Sequence, residues 1–403
     1  MILKIDKGIA RGRIEAPASK SMAHRLLICA SMCRGESRID GLPSCEDVLA
    51  TIDCLSALGV KIEYDGSSAT VYGVDFTKVV PSGELNCRES GSTLRFLIPL
   101  AMLSGEKVVF RGSERLMARP QNIYETIAKE EGLTFIRETD RITVSGPLRY
   151  GEYFIDGNVS SQFISGLLLA FSTLYDDMRI IINTPIESRP YVDLTISAME
   201  KFGVRVYRDT DWSFLIFGGQ QYRPMQLTVE GDWSGAAFIE AFNHLGGKVR
   251  IDRLDNKSLQ GDRICKKYFK MLDKGYSEID ISDCPDLGPI LFTMAAIKNG
   301  GKFIGTKRLR DKESDRVMTM KCELEKFGAE LVVEENSVTV IKKELHAPSE
   351  RLSGHNDHRI VMSLAVLCTL FGGEIVGCEA VSKSYPDFFK DIKALGIRVY
   401  EVD

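Results

Sequence analysis

No Cys-x-x-Cys pair occurs in this sequence, although it holds ten cysteines. The cysteines at 29, 33, 45, 54, 87, 265, 284, 322, 368 and 378 lie mostly in apolar helical contexts. They are expected to be reduced thiols of a cytoplasmic protein rather than a disulfide framework. Long apolar runs are also missing: a stretch such as FISGLLLAF, Phe163 to Phe171, falls far short of the ~20 residues that span a bilayer. The start of the chain, MILKIDKGIARGRIEAPAS, alternates charge with apolar residues and has no signal-peptide core. Nor is there a basic surplus. Lys plus Arg is 52 against 56 for Asp plus Glu, a net charge of −4, which argues against a general nucleic-acid binder but not against a local basic pocket. Histidine is scarce, at five. The pair His355 and His358 in GHNDHR has no third partner at metal-ligand spacing, so no metal site is expected.

What is present is ordinary for a soluble globular chain: 44% hydrophobic and 27% charged residues. A length of 403 residues predicts two or three domains at about 150 residues each. Internal repetition sharpens this. One segment type is an amphipathic helix pattern, then Gly, then a strand, as in EDVLATIDCLSALGVKIE (46–63) and ESDRVMTMKCELEKFGAELVV (313–333). In the latter, Val317, Met320, Leu324 and Phe327 fall on one helical face. The glycines at 59, 132, 203, 275, 328 and 396 stand where left-handed helix caps are predicted. A second, more uniformly apolar helix alternates with the first, as in GSTLRFLIPLAMLSGEKVVF (91–110) and DHRIVMSLAVLCTLFGGEIV (357–376). Helices apolar on most sides belong inside a core, and one-faced helices outside it. The chain thus reads as an α/β protein of six α-β-α-β units of roughly 70 residues, the fifth interval being shorter. Six units exceed one hydrophobic core and predict two domains of three repeats. The expected division is residues 19–228 against residues 229–403 joined by 1–18, with a hinge of one or two strands rather than a flexible tether.

Polar and charged residues gather at the predicted starts of these helices. They are Lys20, Ser21 and Arg25; Ser90, Gly91, Ser92 and Arg95; Arg119; Ser160, Ser161 and Gln162; Ser188, Arg189 and Tyr191; Asp286; Arg308, Lys312, Glu313 and Arg316; Asp357 and Arg359; and Lys383. Helix N-termini present unpaired N–H groups and the positive end of the dipole, which suits anions. Each motif alone has a bland reading. SKS, SGS and SSQ serve equally as N-caps or turns, and KESDR as a solvated helix start. Their recurrence at equivalent points of one repeat is what those readings leave unexplained.

Taken in order, SKSMAHR (19–25), ESGSTLRF (89–96), ARPQ (118–121), DGNVSSQF (156–163), SRPYVD (188–193), DLGP (286–289), KESDR (312–316), NDHR (356–359) and KSYPDF (383–388) resemble the motif set of the 3-phosphoshikimate 1-carboxyvinyltransferase (EPSP synthase) family of enolpyruvyl transferases. The resemblance spans virtually the whole chain. It implies two domains, each an inverse α/β barrel of three repeats, with the active site in the cleft between them. It also implies the reaction of phosphoenolpyruvate with the 5-hydroxyl of shikimate 3-phosphate, without metal or cofactor. For catalysis it implies Asp286 as acceptor of the 5-hydroxyl proton, Glu313 in proton exchange at C3, and Lys20 bridging both substrates. For shikimate 3-phosphate it implies Lys20, Ser21, Arg25, Ser160, Ser161, Gln162, Ser188, Tyr191, Asp286, Arg308 and Lys312. For phosphoenolpyruvate it implies Lys20, Gly91, Arg95, Arg119, Gln162, Arg316, Arg359 and Lys383. Each substrate carries a phosphate and a carboxylate, so holding both side by side demands interposed cations, with forked arginines matching the oxygens. The resemblance further implies inhibition by glyphosate, small-molecule partners only, with no nucleic acid or membrane, and a monomer.

The sequence departs from the family pattern at Glu89 and Ser90, where many relatives have Asn-Ala, at Phe96, where Pro is frequent, and at Arg308, where Asn is common. The sister family acting on UDP-N-acetylglucosamine usually carries a Cys before its Arg-Pro pair. The stretch RGSERLMARP (111–120) has none, which favours the shikimate substrate. A non-catalytic polyanion-binding scaffold is disfavoured by Asp286 and Glu313, since carboxylates have no place in a site that only binds anions.

Overall fold

The computed structural model describes residues 1–402. The chain forms two compact units, Ala18–Glu230 and Met1–Pro17 together with the chain from Gly231 onward. Among the described residues no helix is long and apolar enough to cross a membrane.

The repeat is clearest in the middle of the Ala18–Glu230 unit. Strand Leu85–Asn86 leads through helix Gly91–Ala101 to strand Val108–Arg111, which lies parallel beside it. Helix Asn122–Glu131 then leads to the hairpin Thr134–Arg137 and Arg141–Ser145, whose second strand pairs antiparallel with Val108–Arg111 (Val108↔Val144, Phe110↔Ile142). These four residues are buried and alternate with more exposed neighbours such as Val109 and Arg141, the period-2 pattern of strands with one covered face. The same arrangement recurs around Met178–Ile182 and around Glu36–Asp40. In the last of these, the outer parallel strand comes from the far end of the unit, Gln226–Thr228, with Gln226 opposite Arg38. Three glycines follow the inner hairpin strands at equivalent places. A Cβ at Gly73, Gly146 or Gly218 would fall 1.9 to 2.2 Å from the carbonyl oxygens of Cys33, Met102 and Tyr175, just beyond the C-terminal ends of the three central helices.

Those central helices, Lys20–Ser31, Gly91–Ala101 and Ser161–Phe171, are buried nearly all round, and the sheets lie outside them. Helix Asn122–Glu131 buries only Ile123, Tyr124, Ile127 and Ala128, one stripe at helical spacing. The unit is thus an inside-out α/β arrangement. Among the described residues its sheets remain separate, four-stranded and open.

The other unit follows the same plan with two changes. Its central helices are Trp233–Asn243, Gly288–Ile297 and His358–Phe371. The N-terminal strand Ile2–Ile5 lies between Gly373–Val376 and Val399–Glu401, antiparallel to both. Strand Arg11–Glu15 pairs parallel with Lys248–Asp252 in a two-stranded sheet. Here the hairpin is missing: helix Cys265–Lys274 leads straight into Ser277–Asp280, the first strand of the next sheet. That omission accounts for the short interval in the sequence, which is the fourth, from 262 to 313, and not the fifth as expected. It also corrects one expectation. Gly59, Gly132, Gly203, Gly328 and Gly396 do take left-handed φ values of 68° to 91°, but Gly275 is extended, at φ 161°, because no hairpin has to turn back after it. Val317, Met320 and Leu324 on the helix Arg316–Glu325, and Phe327 just beyond its end, are all fully buried.

Candidate active site

In the Ala18–Glu230 unit the expected residues fall at the starts of the central helices. Ser19 caps Lys20–Ser31 by accepting from Met22 N, Ser90 caps Gly91–Ala101 by accepting from Thr93 N, and Ser160 caps Ser161–Phe171 by accepting from Gln162 N. Ser188 precedes Arg189–Lys201 in a left-handed conformation, φ 57°, and is buried, like Ser161. Arg119 departs from the expectation. It ends the short helix Glu114–Ala118 instead of opening one, since Pro120 behind it restricts its backbone to the extended region.

Three groupings result. Arg25, 2% exposed, donates to Thr195 Oγ1 (2.7 Å), to the carbonyl of Ser21 (2.6 Å) and to that of Tyr191 (2.8 Å). Burial pulls its pKa down to about 10. Arg95 donates to Gln162 Oε1 (2.9 Å) and to Pro120 O (2.9 Å), while Gln162 Nε2 reaches Ser92 Oγ (3.0 Å). Arg119 belongs with this set, because a Cβ on Gly91 would lie 2.8 Å from its Nη1 and 3.8 Å from Gln162 Oε1. Lys20 pairs with Asp47 at 2.9 Å, a buried partner that the sequence analysis did not single out. Two departures from the family pattern also acquire a role. Ser90 supplies the N-cap, and the Phe96 ring lies under the Arg25 guanidinium at 5.0 Å.

The other unit assembles its residues around Arg316, which is 1% exposed. Its guanidinium donates to Asp357 Oδ2 (2.8 Å), Asp286 Oδ1 (2.9 Å) and Glu313 Oε2 (2.6 Å). Asp357 is the N-cap of His358–Phe371 and accepts from Arg359 N. Arg359 Nη2 donates to Asp286 Oδ2 (2.9 Å) and Ser234 Oγ (2.8 Å). Ser234 in turn donates to the buried Asp262. Lys312 Nζ stands 3.4 Å from Asp286 Oδ1. Lys383 Nζ donates to Asn356 O (2.5 Å). Lys312 and Lys383 sit at the ends of 3₁₀ turns, and Arg308 within one, so these three do not open α-helices as expected. Asp262 and Ser234 were missed. Their only sequence signal was position, Ser234 standing just inside a helix start like Ser21 and Ser92.

Electrostatics follow from this packing. Burial works against the charge of Asp286, yet Arg359, Lys312 and Arg316 outweigh it and hold the carboxyl well below its usual range. Burial likewise opposes the charge of Arg316, and Asp357, Glu313 and Asp286 outweigh it, so its pKa is raised. Burial, with Arg308 and Arg316 adding to it against Asp286, brings Lys312 down to about 8. Burial and the neighbouring Asp286 push Asp262 up to about 6. The side chain of Glu313 is 14% exposed. The unit therefore keeps three carboxylates on one guanidinium, amid further cations, and two of them, Asp286 and Glu313, suit proton transfer beside an anion. Among the described residues no group of three His, Cys, Asp or Glu could hold a metal ion. His355 Nε2 lies 2.8 Å from Glu323 Oε1.

Comparison with known proteins bears on the fold and the family. Solved structures of EPSP synthase from Acinetobacter baumannii share the fold, with TM-scores of 0.77 and 0.79 over 99% and 100% of this chain, at 22% and 20% identity. The protein is thus a two-unit α/β protein of the kind those enzymes define. The family model for EPSP synthase (3-phosphoshikimate 1-carboxyvinyltransferase) matches residues 6–392, and the chain belongs to that family. Its relatives include the 3-phosphoshikimate 1-carboxyvinyltransferases of Clostridium kluyveri, 39% identical over 97% of this chain and 96% of that protein, and of Clostridium perfringens, 38% identical over 96% of each.

Proposed function

We propose that this chain transfers the enolpyruvyl group of phosphoenolpyruvate to the 5-hydroxyl of shikimate 3-phosphate, giving 5-enolpyruvylshikimate 3-phosphate and inorganic phosphate on the route to chorismate and the aromatic amino acids. Family membership and the clostridial relatives support it. The observation within the chain that carries it is the pair Asp286 and Glu313, both bonded to the buried Arg316.

In this reading Asp286, kept ionised by Arg359, Lys312 and Arg316, takes the 5-hydroxyl proton as the oxygen bonds to C2 of phosphoenolpyruvate. The electron pair of the C2–C3 double bond takes a proton at C3 from Glu313. The tetrahedral adduct then breaks its C2–O bond to phosphate, and C3 returns a proton to Glu313. The proton taken by Asp286 leaves with the phosphate, and with no net change of oxidation state the step needs no redox cofactor. Ser21, Arg25, Ser160, Ser161, Gln162, Ser188, Tyr191, Arg308 and Lys312 hold shikimate 3-phosphate. Gly91, Arg95, Arg119, Gln162, Arg316, Arg359 and Lys383 surround phosphoenolpyruvate, and Lys20 touches both substrates. The Arg119–Gly91 approach supports glyphosate as an inhibitor competing with phosphoenolpyruvate, one that Gly91→Ala would crowd out by pushing Arg119 aside. We further read the protein as a cytoplasmic monomer, checked by its elution volume in size-exclusion chromatography.

The test is phosphate release from phosphoenolpyruvate with shikimate 3-phosphate or UDP-N-acetylglucosamine as acceptor. Release with shikimate 3-phosphate alone is expected. Release only with the nucleotide sugar, or with neither, overturns the reading.

A further inference from the structure

Arg316 and Glu323 are seven residues apart on one helix, Arg316–Glu325, nearly two full turns, so they lie on the same face. Arg316 bonds forward to Asp357. Glu323, whose side chain is 1% exposed, reaches the segment just before Asp357. Its Oε2 accepts from Ser353 N (2.9 Å), and its Oε1 lies 2.8 Å from His355 Nε2. Lys326 Nζ, at 3.1 Å, balances its charge. A buried carboxylate is costly unless it is bonded in this way.

The segment so held is unusual. His355 and Asn356 are consecutive non-glycine residues in the left-handed region, at φ 48° and 53°. Asparagine tolerates that region, but two such residues in succession persist only where their surroundings fix them. Three site residues depend on the segment. The carbonyl of Asn356 accepts from Lys383, Asp357 accepts from Arg316, and Arg359 follows one residue later with its backbone N bonded to Asp357 Oδ1 (2.9 Å).

We propose that Glu323 and His355 form a latch that keeps residues 353–357 in this conformation and thereby positions Arg359, Arg316 and Lys383 around phosphoenolpyruvate. They are positioning residues and touch no substrate. The kinetic consequence rests on the function proposed above, while the latch itself does not.

The experiment has two readouts on wild type, Glu323→Ala and Glu323→Gln. Amide hydrogen exchange across residues 351–360 reads the latch whatever the protein catalyses. Separate KM values for phosphoenolpyruvate and shikimate 3-phosphate read its consequence. Gln keeps the shape of the side chain and an acceptor for Ser353 N, so it should restore most of what Ala loses. For Glu323→Ala the expected result is faster exchange at Ser353 and Asp357, with KM for phosphoenolpyruvate raised about ten-fold or more, as misplaced binding groups produce. KM for shikimate 3-phosphate should stay within about two-fold. Unchanged exchange, equal rises in both KM values, or failure of Gln to recover over Ala would overturn the latch. If Glu323→Ala does not fold, His355→Ala takes its place, its side chain being 31% exposed, with the same readouts and the same criteria. A wild-type protein that releases no phosphate would defeat the functional reading, and the exchange arm would still decide the latch.

Discussion

Arg25 and Arg316 are both buried guanidiniums near the start of a helix, one in each unit, yet their charges are met in opposite ways. Arg25 rests on a hydroxyl and two carbonyls, all neutral, over the ring of Phe96, and burial lowers its pKa to about 10. Arg316 is bonded to three carboxylates, which raise its pKa despite burial. A desolvated cation held by dipoles alone still has its attraction for an anion to offer, and an arriving phosphate relieves it. A cation surrounded by carboxylates has less left to offer an anion, and a large part of its work is to hold them. The first arrangement suits capture of a dianion, and the second suits carboxylates that move protons. Lys20, paired with Asp47, shows that the division is one of emphasis.

If the carboxylate-rich cluster performs the chemistry, its loss should dominate the rate. Asp286→Ala is expected to lower kcat by about three orders of magnitude, the middle of the range for a general base, with binding of shikimate 3-phosphate by calorimetry retained. A kcat within ten-fold of wild type would remove Asp286 from the base role. Stability should separate the two arginines next. Arg316→Met leaves three carboxylates without their common partner and should cost about 3 kcal/mol in denaturant unfolding. Arg25→Met removes a charge whose partners are neutral, and should cost less than about 1 kcal/mol or even stabilise, while KM for shikimate 3-phosphate rises. Equal losses for the two variants would abolish the contrast.

Lys312 tests the same contrast through pH. Its pKa, brought down to about 8 by burial despite Asp286, leaves it charged below that value and neutral above. kcat/KM should therefore fall above pH 8, by about ten-fold per unit once the proton is lost, and Lys312→Arg should move that limb upward. The sign for stability is the reverse. Between pH 8 and the ordinary lysine value of 10.5 the unfolded chain binds more protons, so the contribution of Lys312 to stability rises with pH as activity falls. An alkaline limb unmoved by Lys312→Arg would assign it to another group.

Sequence periodicity and capping made the repeat, the central helices and most of the helix-start residues readable, because each rests on local chemistry: an N-cap such as Ser90, an apolar surround such as Leu94 to Leu100, a glycine cap such as Gly132. What stayed hidden depends on distant partners. Asp47 lies 27 residues from Lys20 and Glu323 lies 32 from His355, and nothing local marks either acid as buried. Gly275 looked like its five counterparts because its helix is normal. Only the missing hairpin after it removes the need for a left-handed cap. Ser90 and Phe96, departures when set beside the family pattern, acquire their roles through Thr93 and Arg25.

The smallest effect examines whether the Ala18–Glu230 unit is held by neutral groups throughout. A buried chain runs from His24 Nδ1 to Thr51 Oγ1 (2.7 Å), to Thr93 Oγ1 (2.6 Å) and to Ser90 Oγ (2.7 Å), joining three helices. Burial drives the pKa of His24 well below its ordinary value, and Lys20 and Arg25 add to it, so the ring is neutral. Its Nε2 has no hydrogen-bond partner. A bare nitrogen lone pair there costs less than a buried N–H, which assigns the proton to Nδ1 and makes His24 the donor to Thr51. Thr93→Val keeps the shape and removes the central hydroxyl. Ser90 still caps Thr93 N (3.2 Å), so the expected cost is about 1 kcal/mol, that of one internal hydrogen bond. Because every member of the chain is neutral, that cost should be the same from pH 6 to pH 9 by denaturant unfolding. A loss that grows as pH falls through the histidine range would mean that His24 carries charge, and the contrast between dipole-held and carboxylate-held cations would have to be redrawn with an imidazolium in the dipole-held unit.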